Sequence, residues 1–153
     1  MLDIGAPAPP IALLDAASGE IVSDPWLDAP GPTVVAFFKT TCPVCMMAAP
    51  KIQALADGGV RVVAIGQDPP PALERYAAEH GQRVVTLSEA SPYPVSDAYA
   101  LTVVPTLYAI DRAGNVVDAV QSWDRVRWNE FAAGLGVPPV SDPSDGLPTF
   151  RPG

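Results

Sequence analysis

Apolar and polar positions fall along the chain in blocks that predict a mixed α/β fold. Residues 33–38 are β-branched, small or aromatic without a polar break after Thr33. A run that is apolar on both faces suits a central strand covered from both sides. Residues 60–66 read as a second buried strand and 84–87 as a shorter one. Ahead of them, 11–14 and 21–22 flank the turn-forming Ser18-Gly19 and predict two short strands. Residues 106–110 and 116–120, separated by Asp111…Gly114-Asn115, predict a β-hairpin.

Helical spacing appears between the strands. From Pro43 to about Asp57 the apolar positions include Met47, Ile52 and Leu55, and Gly58-Gly59 closes the segment. Pro50 lies inside this helix and should kink it. Residues 70–80 open on prolines and are followed by Gly81, a second helix. Residues 95–99 read as one or two helical turns and 123–135 as a closing amphipathic helix. The expected architecture is a central mixed sheet with helices on both faces and a β extension at the N-terminus. One domain spans 1–136, and 137–153, rich in Pro, Gly, Ser and Asp, reads as an irregular tail.

Composition narrows the function classes. The 153 residues are 48% hydrophobic, enough for one domain with a sizeable core. A net charge of −8 disfavours nucleic acid and anionic membranes, which attract clustered Lys and Arg. No window holds the ~20 apolar residues of a spanning helix, and the first residues do not form a signal peptide. If Met1 is the native start the protein is expected in the cytoplasm. If an export signal has been trimmed, it is expected in the periplasm or outside the cell. A monomer is expected.

The two cysteines, Cys42 and Cys45, are separated by only two residues and cannot staple distant parts of the chain. They sit where the strand 33–38 meets the helix starting at Pro43. Unpaired N–H groups and the helix dipole favour an anion there, and such settings bring cysteine pKa values into the range of roughly 3.5–7.5. Cys42, at the mouth of the helix, is the candidate nucleophile. Cys45, one turn inside, is the candidate resolving thiol. Pro43 and Val44 between them tune the potential, and Pro43 removes one N–H donor. A structural zinc site would need four ligands; one pair and a single histidine, His80, supply too few. His80 reads as the exposed end of a helix, without a role. An inert buried pair is the remaining alternative.

These motifs together resemble the thioredoxin superfamily, and within it proteins of the TlpA/ResA and AhpC/TSA-redoxin type. The resemblance spans roughly 4–136. It rests on the strand before Cys42-Pro43-Val44-Cys45, on Pro50, and on Val104-Pro105-Thr106 ahead of the hairpin. It implies a cis Pro105 beside the cysteines, with the Val104 backbone pairing with an extended substrate segment. The implied activity is thiol–disulfide exchange with protein dithiols or disulfides, using a redox-active disulfide and no further cofactor or metal. The sequence departs from the pattern at two places. Thr41 stands where many relatives have Trp before the first cysteine, and Ala36 where thioredoxins have a buried Asp. Lys39 is a candidate for stabilising the Cys42 thiolate, and the proton acceptor of Cys45 is unidentified.

Two other readings compete. A peroxiredoxin-like peroxidase would have a threonine three residues before its cysteine, where this chain has Lys39. A Sco-like copper protein would have three residues between its cysteines and a distant histidine; the spacing here is shorter and His80 comes too early.

Overall fold

The computed structural model describes all 153 residues. The chain opens with a hairpin of β1 (Ala12–Asp15) and β2 (Ile21–Ser23), followed by β3 (Thr33–Phe38) and helix α1 (Pro43–Asp57). Then come β4 (Arg61–Gly66), α2 (Pro70–His80), β5 (Val85–Ser88) and the short α3 (Pro94–Ala98). The hairpin β6 (Thr106–Ile110) and β7 (Val116–Gln121) leads through the short β8 (Trp123–Asp124) into α4 (Arg125–Gly134). A 3-10 turn (Pro143–Asp145) and β9 (Phe150–Arg151) complete the chain.

Seven strands form one sheet in the order β2-β1-β5-β4-β3-β6-β7. β3 is central, parallel to β4 and antiparallel to β6. Every residue of β3 is buried, as its unbroken apolar run requires. The alternation of side chains assigns each to one of two cores. Val34, Ala36 and Phe38 face a layer built on α1, α2 and α4, with Ile52, Leu73 and Trp128. Val35 and Phe37 face the opposite layer, where Tyr99 follows α3 and Trp26 and Ile11 come from the N-terminal extension. The fold is the thioredoxin-like α/β arrangement, with β1 and β2 extending the sheet beyond β5.

Two sequence expectations need correction. The closing helix starts at Arg125, not Trp123, because Trp123 and Asp124 pair as β8 with Arg151 and Phe150. Asp124 caps the helix by accepting the Arg127 N–H at 3.1 Å. The segment 137–153 is also not an irregular tail. Val137 and Val140 join the main core, and Ser141 is buried. The buried Arg125 guanidinium donates to Ser141 Oγ at 3.0 Å and to the Leu147 carbonyl at 2.7 Å. A Pro- and Gly-rich composition lacks helical or strand periodicity, but here it is ordered by one buried cation and by hydrophobic anchors far away in the sequence.

Candidate active site

The cysteine pair sits at the C-terminal edge of the central strand. After Phe38 the chain turns through Lys39, Thr40 and Thr41, closed by the Cys42 N–H donating to the Lys39 carbonyl at 3.2 Å. Cys42 is the N-cap of α1 in an extended conformation, and its Sγ accepts the Cys45 N–H at 3.2 Å. A sulfur thus takes the place a Ser or Asp oxygen commonly holds at a helix start. Pro43 occupies the first helical turn, where its missing N–H leaves nothing unsatisfied. Cys42 is half-buried and Cys45 has no exposed surface; both are free thiols.

The Val104–Pro105 bond is cis. Pro105 is buried, and the Val104 carbonyl accepts from the Cys42 thiol at 3.6 Å. No acceptor within the chain takes the Val104 N–H. Val104, two residues ahead of β6, therefore presents an unpaired donor and a carbonyl shared only with the Cys42 thiol.

Burial pushes the Cys45 thiol well above the ordinary range. The hydrogen bond with the Cys42 side chain and the charges on Cys42 and Asp68 act in the same direction, while a backbone hydrogen bond with Lys39 opposes them. Burial likewise raises the Tyr76 phenol, with Cys45, Cys42 and Asp68 as the charges that add to it. The Tyr76 hydroxyl is buried without a hydrogen-bond partner, and its ring packs on Phe38 with centroids 4.9 Å apart. Asp68 is held against the active-site turn: its carboxylate accepts the Thr40 N–H at 3.0 Å and the Thr40 hydroxyl at 2.8 Å.

The structure brings together Cys42, Cys45, Val104 and Pro105. It distributes the remaining expected residues differently. Val44 is buried in the main core and is a packing residue, whereas Thr41 and Pro43 are exposed. The Lys39 side chain is exposed and makes no ion pair; its contribution to the pair is through the backbone. His80 is half-buried rather than exposed, its ring 4.8 Å from that of Tyr76. Ala36 is fully buried in the sheet, and the carboxylate whose charge acts on Cys45 is Asp68, in the loop after β4.

Thr40, Asp68 and Tyr76 did not stand out in the sequence. A topological signal for Asp68 existed. Parallel neighbouring strands end on the same edge of a sheet, so the residues after β4 must lie beside those after β3. Tyr76 carries no such signal, because one aromatic in an amphipathic helix looks like ordinary core.

The sequence profile of the AhpC/TSA family matches residues 4–119. The chain belongs to the AhpC/TSA family. Solved structures resemble this AhpC/TSA-family chain in fold at low identity. A Chlorobium tepidum protein described as a thiol:disulfide interchange protein DsbE superposes with a TM-score of 0.75 at 18% identity, over 88% of this chain and 96% of that one. A secreted Mycobacterium tuberculosis disulfide oxidoreductase, homologous to DsbE of E. coli, gives 0.65 at 17% identity, over 82% and 94%. The peroxidoxin BcpB of Mycobacterium tuberculosis gives 0.65 at 19% identity, over 79% and 86%. No curated protein sequence matches the chain. No helix is long and apolar enough to cross a membrane.

Proposed function

We propose that the chain is a thiol–disulfide oxidoreductase that exchanges its Cys42–Cys45 dithiol with disulfides of protein clients. The observation that carries this reading is the unequal burial of the pair at the head of α1. Cys42 is reachable and lies beside the unpaired Val104 N–H, while Cys45 is within hydrogen-bond reach but sealed from solvent. The Cys42 thiolate attacks one sulfur of the client disulfide, the other client sulfur leaves as thiolate, and a mixed disulfide forms. Cys45 then loses its proton and attacks Cys42 Sγ, closing the Cys42–Cys45 disulfide and releasing the second client thiolate. Two electrons pass from the pair to the client, and an external dithiol restores the pair. The reverse sequence oxidises a client dithiol. A midpoint near about −270 mV assigns a reductant and one near −120 mV an oxidant.

The neighbouring peroxidoxin supports a second reading, a thiol peroxidase. There the Cys42 thiolate would take one peroxide oxygen, with hydroxide leaving, and the sulfenic acid would condense with the Cys45 thiol, releasing water. The exposed Lys39 at the position of the expected threonine counts against it. A Sco-like copper site finds less support, since no group of three or more His, Cys, Asp or Glu is gathered to hold a metal ion.

The test is insulin disulfide reduction and peroxide consumption by wild type, Cys42→Ser and Cys45→Ser. Exchange is expected to vanish in Cys42→Ser, and Cys45→Ser is expected to accumulate mixed disulfides. Activity that survives Cys42→Ser defeats the proposal, and faster peroxide than disulfide turnover moves the assignment to peroxidase. The secreted neighbour favours the exported alternative for this chain, which redox-state trapping of the pair in intact cells would check.

A further inference from the structure

The C-terminal segment reaches Val104, the residue beside Cys42. Antiparallel pairing of β9 with β8 brings the chain back along 122–125, and the Arg125 N–H donates to the Thr149 carbonyl at 2.9 Å. The Trp123 indole N–H donates to the Pro148 carbonyl at 2.7 Å. Ser122, in a left-handed conformation at φ 63, works in two directions. Its N–H donates to the Pro105 carbonyl at 2.9 Å, and its Oγ accepts the Gly153 N–H at 3.0 Å. Gly153 therefore lies against the Val104 carbonyl, so closely that a Cβ there would collide with it. This is the carbonyl that accepts from the Cys42 thiol. Gly153, Val104, Lys39 and Gln67 line one hollow of about 280 Å³.

An unpaired N–H and an available carbonyl at a strand start are what an extended polypeptide uses to add to a sheet. Gly153, at the end of the segment 150–153, occupies space over the Val104 carbonyl. Residues 150–153 are nevertheless exposed, and Gly153 is held at its amide by a single hydrogen bond. It is a weak occupant that a better strand can displace.

We infer that residues 150–153 form a specificity strap: an extended protein segment engages Val104 and reaches Cys42 only by displacing the strap, whereas a small disulfide reaches Cys42 with the strap in place. The inference rests on the thiol–disulfide exchange reading. It assigns Ser122 and Gly153 as residues that set the balance between client classes without touching the reacting sulfurs. The apparent rate toward strand-like clients is lowered by the fraction of molecules with the strap docked.

Gly153→Ala removes the close approach and Ser122→Ala removes the amide's acceptor, both in the full chain. Each variant is compared with wild type for reduction of insulin and of 2-hydroxyethyl disulfide, with a dithiol as final reductant and a melting curve for each protein. For both variants we expect the insulin rate to rise roughly 2- to 10-fold, the range one hydrogen bond spans, and the small-disulfide rate to stay within about 1.5-fold. A ratio of the two rates unchanged from wild type in both variants overturns the strap, as does an equal rise with both substrates. If wild type reduces neither disulfide, the exchange reading itself fails and the strap falls with it.

Discussion

In the proposed exchange Cys45 would act from a site that water does not reach, and this would set the chemistry of resolution. The thiolate attacks, yet burial and the Asp68 charge both oppose its formation. In the mixed disulfide the Cys42 thiol is gone, so its hydrogen bond and charge no longer raise Cys45, but burial and Asp68 remain. The decay of a pre-formed mixed disulfide should therefore accelerate about tenfold per pH unit between pH 6 and 8.5, as the thiolate fraction grows. Stopped-flow measurement of that decay checks this, and a flat profile means an internal group takes the proton instead. Asp68→Asn should move the Cys45 titration down, read from thiolate absorbance at 240 nm, because one of the charges that raise it is removed.

At the scale of elements, the site depends on how closely β4 and α2 approach. Gly66, the last residue of β4, has no room for a Cβ: the added atom would meet Leu73 of α2 and the Phe38 ring. The same approach brings Asp68 to Thr40 and Tyr76 onto Phe38. Gly66→Ala should cost about 1–3 kcal/mol in urea unfolding, and it should slow insulin reduction beyond any loss of folded protein. The C-terminal segment hangs on Arg125 in the same way. Arg125→Met gives up charged hydrogen bonds to Leu147 and Ser141 and should cost about 2–3 kcal/mol, with early proteolysis after residue 140. The Ser141 hydroxyl and the Lys51 ammonium hold the Asp145 carboxyl well below the usual carboxylate range. Its support is therefore present above the ordinary value of about 3.9 and lost only as pH falls through its lowered one. Docking of the segment, followed by tryptophan fluorescence, should persist in mild acid and give way in strong acid.

Across the whole molecule one buried thiol and three buried phenols are shifted with the same sign. Burial raises Cys45, Tyr76, Tyr99 and Tyr108, so the folded chain keeps protons that the unfolded chain releases at about 8.5 for a thiol and 10 for a phenol. The folded state binds more protons in that range, and stability must fall as pH rises. The urea midpoint should drop steadily from pH 8 to 10.5, and an unchanged midpoint would show that these groups titrate freely in the fold. The same scale explains what the sequence revealed. β3, α1 and α2 were legible because each has its own periodicity and its own punctuation, down to Pro43, Gly58 and Gly81. The cysteine pair was legible because its spacing carries chemistry, and Pro105 because Val104-Pro105-Thr106 resembles the family's motif ahead of the hairpin. Asp68, Ser122 and Gly153 were not, because each matters only through a partner far off in the chain: Thr40, Pro105 and Val104. The segment 137–153 was misread for that reason too, since its order comes from Arg125 and the main core rather than from any local pattern.

The complete burial of Cys45 beside the reachable Cys42 also makes the molecule a recorder of its own opening. A reduced native chain exposed briefly to a thiol-alkylating reagent should gain one mass tag, at Cys42, and a second only when α1 lifts away from β3. The rate at which the second tag appears, taken across temperature or denaturant, measures how often the centre of the fold opens. It does so with an atom the protein already carries, and without an introduced probe.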